Sequence, residues 1–214
     1  MAQSEDGFRS SLASVQLTLS DAQVGQLLKF GELLQKWTRV YNLTALRAPD
    51  EIRTHHILDS AAAVAPLRRM TRAQPSHLLD VGSGGGLPGV VIAIACPEIR
   101  VDCVDAVAKK AAFIRQVAGT LRLPNLRGIH SRVEQLEGKY DVISSRAFAS
   151  LPDFARLSST ALADEGVWMA MKGKFPAEEV ADLPSDVEVF HVEQLEVPGL
   201  GAERCLLWLR RRPV

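Results

Sequence analysis

Leu78-Leu79-Asp80-Val81-Gly82-Ser83-Gly84-Gly85-Gly86-Leu87-Pro88-Gly89 is the stretch richest in chemical possibility. Two fingerprints overlap in it. Gly84, Gly86 and Gly89 fit G-x-G-x-x-G, the dinucleotide-binding turn, whereas Asp80, Gly82 and Gly84 fit D-x-G-x-G, typical of S-adenosylmethionine-dependent methyltransferases. Both use glycines so that the chain turns sharply after a strand and a ligand can touch bare backbone. The frame that starts on the strand favours the second, because Asp80 lies within the apolar run and Gly82 ends it. A carboxylate facing the ligand there would repel a pyrophosphate, yet could hold the cationic methionine end of S-adenosylmethionine, directly or through water. Asp105 is expected at the end of the next strand, placed to bond both ribose hydroxyls; that acid suits either cofactor.

The acceptor is narrowed by what is missing. The [DN]-P-P-[YF] signature of amine methylation would fall where Ser144-Ser145-Arg146-Ala147 stands. Cys96, Cys103 and Cys205 fall in predicted helix or strand rather than over a ligand, which argues against a cysteine nucleophile. Their odd number and scatter support neither disulfides nor a zinc site, and no metal is expected. A guanine N7 fits, since its lone pair needs no proton removed and only alignment is required. Arg146, at the mouth of the fourth strand, is the candidate for positioning that edge. Other acceptors that need no base stay open: another RNA, a small molecule, or no acceptor at all in a nucleotide-sensing module.

Lys109 and Lys110 open a helix beside the expected pocket, and Lys172 and Lys174 bracket Gly173 at a strand end. All four are candidate RNA phosphate contacts at the carboxyl edge, where open sheets bind ligands. His55 and His56 diverge by about 100° on a helix, so one packed and one exposed ring is the expectation rather than a metal pair. Phe30 and Trp37 read as core.

Around these residues the pattern changes once. Residues 1–75 read as a helical extension: Ser20-Asp21 caps a helix with Val24, Leu27, Leu28, Leu34, Trp37 and Tyr41 at helical spacing, and Pro49 opens a second to about Val64. A polar connector is expected from Pro66 to Ser76. Residues 76–214 alternate short apolar runs with helical stretches and end in a hairpin about Pro198-Gly199-Leu200-Gly201. That order predicts an α/β, Rossmann-like fold: a seven-stranded, mostly parallel sheet with an antiparallel last strand at its edge.

The 214 residues carry 25 bases and 25 acids, which excludes holding nucleic acid by bulk charge. The neutrality is only an average. Residues 100–132 hold seven bases against Asp102 and Asp105, and 175–203 hold eight acids and no base, which predicts one basic face and one turned away from RNA. A 47 % hydrophobic and 23 % charged composition excludes disorder. The polar first ten residues do not resemble a secretory signal, and Leu87–Pro97 falls short of the ~20 residues a membrane helix needs. A monomeric protein of the cytoplasm, away from any membrane, is expected.

Several runs together resemble one family. Tyr41-Asn-Leu-Thr-Ala-Leu46, His56-Ile-Leu-Asp-Ser60, the glycine loop, Ser131-Arg-Val-Glu134, Ser145-Arg-Ala-Phe-Ala149 and Lys172-Gly173 stand in the order of the glucose-inhibited division protein B family, the small-subunit ribosomal RNA methyltransferases G. The resemblance implies a class I methyltransferase fold, S-adenosylmethionine as cofactor, and N7-methylation of one guanine in 16S ribosomal RNA or the small ribosomal subunit. It further implies that Gly82 and Leu87 touch the cofactor, that Val133 and Glu134 bracket its adenine, and that Arg146 lies beside it. The family often has arginine where this chain has His55. Because duplex RNA hides its major-groove edge, the target guanine is expected to be unpaired or flipped out.

Overall fold

A computed structural model describes residues 4–213. Helix α1 (Glu5–Ser14) is hidden in the sequence by its polar composition. Its cap is Ser4, whose Oγ accepts the Gly7 N–H at 3.2 Å, and Phe8 and Leu12, one turn apart, bury its inner side. Helix α2 (Asp21–Tyr41) begins at the expected Ser20, where Ser20 and Gln23 satisfy each other's backbone N–H groups, and ends at Asn42 in the left-handed conformation. Helix α3 (Pro49–Ile52) passes through a π-helical turn (Arg53–Leu58) into α4 (Asp59–Ala61), and α5 (Val64–Met70) follows. The expected connector from Pro66 is therefore partly helix. Pro66 is the third residue of α5, a position whose N–H has no partner to lose.

The alternating part comprises β1 (Ser76–Val81), α6 (Gly89–Ala95), β2 (Ile99–Asp105), α7 (Ala108–Leu121), β3 (Leu126–His130), β4 (Tyr140–Arg146), α8 (Leu151–Ser158), β5 (Leu162–Lys172), α9 (Ala177–Ala181), β6 (Val187–Gln194) and β7 (Cys205–Arg211). These strands form one sheet in the order β3-β2-β1-β4-β5-β7-β6, parallel from β3 to β5, with β7 antiparallel to both β5 and β6. The α/β class and the seven-stranded sheet with its antiparallel last strand are as expected. The placing of that strand differs: β7 is inserted between β5 and β6 rather than forming the edge. Cys205 to Leu209 are buried in unbroken succession, the pattern of an interior strand, whereas β6 is half-exposed along its length and takes the edge.

Successive residues of each strand feed two cores. Leu78, Val101, Val142 and Trp208 face α2, α6 and α7, and there Phe8, Leu27 and Phe30 from the amino-terminal helices join Val90 and Phe113. Leu79, Ile143, Trp168 and Leu207 face the opposite way, with Phe154 of α8. The strand order reverses direction at β1 and β4, so their carboxyl ends open the crevice in which such sheets receive ligands.

Candidate functional site

The glycine loop leaves β1 on a buried acid. Asp80 is fully buried; its Oδ2 accepts the Gly89 N–H at 2.9 Å and its Oδ1 the Ser144 hydroxyl at 3.0 Å. The expectation that Asp80 faces the ligand is therefore corrected: its carboxyl ties the returning end of the loop to β4 from beneath. Burial raises its pKa to about 7, against the opposing pull of the Gly89 N–H, the Ser144 hydroxyl and the Arg146 charge. Gly89 must be glycine here, because a Cβ would overlap Cys103 Sγ and stand 2.9 Å from Asp80 Oδ2. Gly82 has φ +63°, and a Cβ on it would run into the ring of Phe148.

Above this loop lies a cavity of about 300 Å³ lined by Gly82, Val104, Asp105, Val133, Glu134 and Phe148, among others. Four of the expected cofactor residues, Gly82, Asp105, Val133 and Glu134, thus come together. Gly84 and Leu87 lie off this cavity. Gly84 instead donates its N–H to Asp105 Oδ2 at 3.0 Å, while the Val107 N–H reaches Oδ1 at 2.9 Å and Lys110 Nζ stands at 3.4 Å. Gly84 and Lys110 therefore orient the acid. Val104 and Leu157 were not singled out from sequence, and Phe148 only within the Ser145–Ala149 run; nothing in their types distinguishes them from core residues, and only the fold brings them to the rim. An apolar slot with a carboxylate at one end and bare backbone at Gly82 fits an adenosine group.

Arg146 faces a second cavity, of about 460 Å³, with His55, His56, Asp59, Lys172 and Arg204. Asp59 is almost wholly buried and holds two guanidiniums, Arg146 through Oδ2 at 2.9 Å and Arg204 through Oδ1 at 2.8 Å. Arg146 also donates to His55 O at 3.1 Å and contacts His56 Nδ1 at 3.2 Å. The π-helical turn, a rare form frequent at functional sites, and the start of α4 directly after it bring His55, His56 and Asp59 to one arginine. Both histidines are half-buried, so the expected division into one packed and one exposed ring does not hold. Burial first, then the Arg146 charge, lowers His56 to a pKa of about 4, and its Nε2 lies 2.6 Å from Thr44 Oγ1. Arg204 was missed in the sequence because its 145-residue separation from Asp59 leaves no local signal.

One loop joins the two cavities. Arg146 and Ala147 line the larger and Phe148 the smaller, and Ala147 takes a positive φ of 60°, uncommon for a residue with a side chain. The candidate lysines divide. Lys172 bonds Ala149 O at 3.1 Å and pairs with Glu179 at 2.8 Å, so it supports this loop. Lys109 lies over the Tyr41 ring, 5.6 Å from its centroid, and Lys174 is exposed. All three cysteines are buried, and burial holds Cys103 well above the usual thiol range. Among the described residues no group of three or more His, Cys, Asp or Glu could hold a metal, and no helix is long and apolar enough to cross a membrane.

Comparison with known proteins follows the same lines. The family model described as rRNA small subunit methyltransferase G matches residues 23–207. The chain is 64 % identical over 210 residues to the ribosomal RNA small subunit methyltransferase G of a Polaromonas species, covering 96 % of this chain and 93 % of the relative. It is 61 % identical to the protein of that name from Albidiferax ferrireducens, over the full length of both. Among solved structures, the 1,6-didemethyltoxoflavin-N1-methyltransferase of Burkholderia thailandensis, bound to S-adenosylhomocysteine, matches with a TM-score of 0.57 at 14 % identity, covering 86 % of this chain and 90 % of that one. TrmN of Thermus thermophilus matches with a TM-score of 0.56 at 18 % identity, over 75 % and 53 %.

Proposed function

The chain belongs to the rRNA small subunit methyltransferase G family, and from that premise we propose that it methylates N7 of a guanine in 16S ribosomal RNA, with S-adenosylmethionine as donor. The observation that carries this reading is the loop Arg146–Phe148, which lines an adenosine-sized slot on one side and a basic cavity on the other.

When bound, the cofactor supplies an electrophilic methyl group on a sulfonium. Asp105, held by Gly84 and Val107, is aimed to accept the ribose hydroxyls, and Val104, Val133 and Leu157 offer apolar surface to a flat base. Gly82 allows close backbone approach. In the larger cavity Arg146 is locked by Asp59 and His55, so its remaining N–H groups have a fixed direction in which to meet an acceptor oxygen such as guanine O6. Alignment of this kind is all that an unprotonated N7 asks of a catalyst. The buried, high-pKa cysteines offer no thiolate for covalent attack, which agrees with an acceptor that needs none. Both cavities are lined by one chain, so a monomer working in the cytoplasm suffices for the chemistry.

Mass mapping of 16S ribosomal RNA from cells lacking the protein tests the proposal. One N7-methylguanine is expected to disappear and to return on complementation. An unchanged set of modifications would overturn it, and tight binding of S-adenosylmethionine without transfer to any RNA would instead mark a sensing module. Calorimetric binding of NAD in preference to S-adenosylmethionine would return the glycine loop to the dinucleotide class.

A further inference from the structure

Four large hydrophobic side chains are exposed among the described residues: Val40 (68 %), Tyr41 (45 %), Val107 (43 %) and Phe175 (46 %). Single exposed apolar residues are ordinary, but these are not scattered. Val107 lies two residues after β2, Phe175 three residues after β5, and Val40 and Tyr41 end α2 against the first turn of α7. Val107 and Phe175 therefore stand at the carboxyl edge, within two residues of Ala106 and Gly173, which line the two cavities, and Tyr41 stands at the same edge beside Lys109 of α7.

Two of them are aromatic and each has a lysine near it, in space for Tyr41 and in sequence for Phe175. Lys109 lies over Tyr41, and Lys174 precedes Phe175 in the chain. Among the described residues no ion pair holds either lysine, in contrast to Lys110 and Lys172, which are tied to Asp105 and Glu179. Tyr41 is also rigidly backed. The Trp37 ring lies 4.9 Å from it at a tilt of 42°, packs on Phe113 at 5.3 Å, and is fixed by its Nε1–H to Gln116 Oε1 at 3.1 Å. A ring held this way loses little freedom when something stacks on it. A ring beside an unpaired ammonium is complementary to one nucleotide, which joins a flat base to an anion.

We propose that Tyr41 with Lys109, and Lys174 with Phe175, are two nucleotide grips flanking the acceptor cavity, each stacking an unpaired base of the substrate RNA and pairing its phosphate. The proposal rests on the reading of the protein as an RNA methyltransferase and adds what surrounds the target guanine: unpaired nucleotides on both sides. Three strand spacings separate the ends of β2 and β5, about 14 Å, so the grips bracket the cavity rather than share one base. Lys109 leaves the Tyr41 ring for the phosphate on a flexible stem as the base takes its place. Self-association through this surface would set lysine against lysine, which disfavours a second copy as occupant.

The test uses full-length protein with protein-free 16S ribosomal RNA in filter binding at about 100 mM salt, since affinity without a stated salt concentration means little. Tyr41→Ala and Phe175→Ala are each expected to weaken binding roughly 5- to 100-fold, the worth of one base stack. Tyr41→Phe and Phe175→Trp are expected to restore it, with S-adenosylmethionine affinity and melting temperature unchanged throughout. Wild-type binding by both alanine variants would overturn the grips. So would weakening confined to the assembled subunit, which would assign the surface to a ribosomal protein, or a loss that tracks lowered melting temperature. Ring-dependent RNA binding without methyl transfer would overturn the proposed activity and leave the grips standing.

Discussion

Asp80→Asn tests the reading of the glycine loop directly. The Asp80 carboxyl is sealed under the loop, with one oxygen on the Gly89 N–H and the other on the Ser144 hydroxyl, and burial raises its pKa from an ordinary 3.8 to about 7. In the unfolded chain the group titrates near its ordinary value. Between these two values the folded state holds a proton that the unfolded state has released, so stability falls as pH rises through that window. Three units at 1.36 kcal/mol each set an upper bound of about 4 kcal/mol above pH 7. Asparagine cannot ionise. Its amide oxygen can still accept the Gly89 N–H, and its NH2 can face Ser144 Oγ, which accepts as readily as it donates. Urea unfolding of both proteins at pH 5, 6, 7 and 8 isolates this group, because all others cancel in the difference. The variant should gain on the wild type by about 2.5 kcal/mol between pH 5 and pH 8. A difference that stays flat across that range would refute the argument, and would mean that Asp80 remains an ionised carboxylate sustained by the helix start.

Three further changes probe other parts of the site. Asp59→Ala strips the shared counter-charge from Arg146 and Arg204 and should cost about 3 kcal/mol in urea unfolding, the low end for a broken buried pair because both guanidiniums reach some solvent; a loss below about 1 kcal/mol would show that water replaces it. Gly82→Ala forces a side chain into a left-handed position at about 1–2 kcal/mol and displaces Phe148. It should leave a folded protein whose S-adenosylmethionine affinity, read by calorimetry, falls at least about ten-fold, or 1.4 kcal/mol, and retained affinity would remove Gly82 from the cofactor site. At the other end of the sheet Asp102 is nearly buried, accepting from Arg127 at 2.6 and 2.7 Å and from Tyr140 at 3.0 Å. Burial alone would raise its pKa, but these bonds and charges outweigh it and hold the group below its ordinary 3.8. Its contribution is therefore present above the unfolded value and lost as pH falls through the folded one. Asp102→Asn should flatten the acid limb of the stability curve below about pH 5, and an unaltered limb would count against the network.

The elements most legible in the sequence are those whose signals are local. Ser20 with Gln23 marked the start of α2, and the apolar run feeding Gly82 marked β1 and its turn. Asp105, the last residue of β2, was expected from its strand, and the Val133-Glu134 pair, just beyond β3, from the family resemblance; all three line the smaller cavity. Helix α1 escaped because two buried residues among polar neighbours make a faint period, and α5 because Pro66 reads as a breaker until its place in the first turn is known.

By itself the sequence determined the class of fold and the glycine turn that leaves β1. Periodicity, caps and glycine turns depend on neighbours in the chain, and these were all present in it. Tertiary structure alone decided which way each polar side chain faces. Asp80 turns under the loop rather than to the ligand, Lys172 pairs with Glu179 rather than with solvent, and Asp59 gathers Arg146 and Arg204 from positions far apart in sequence. The energy of a buried charge depends on whatever partner packing brings within about 3 Å, and no local pattern specifies that partner. Tyr41 makes the same point in reverse: its spacing put it on the core stripe of α2, and only the packed molecule leaves it exposed at the end of that helix, under Lys109.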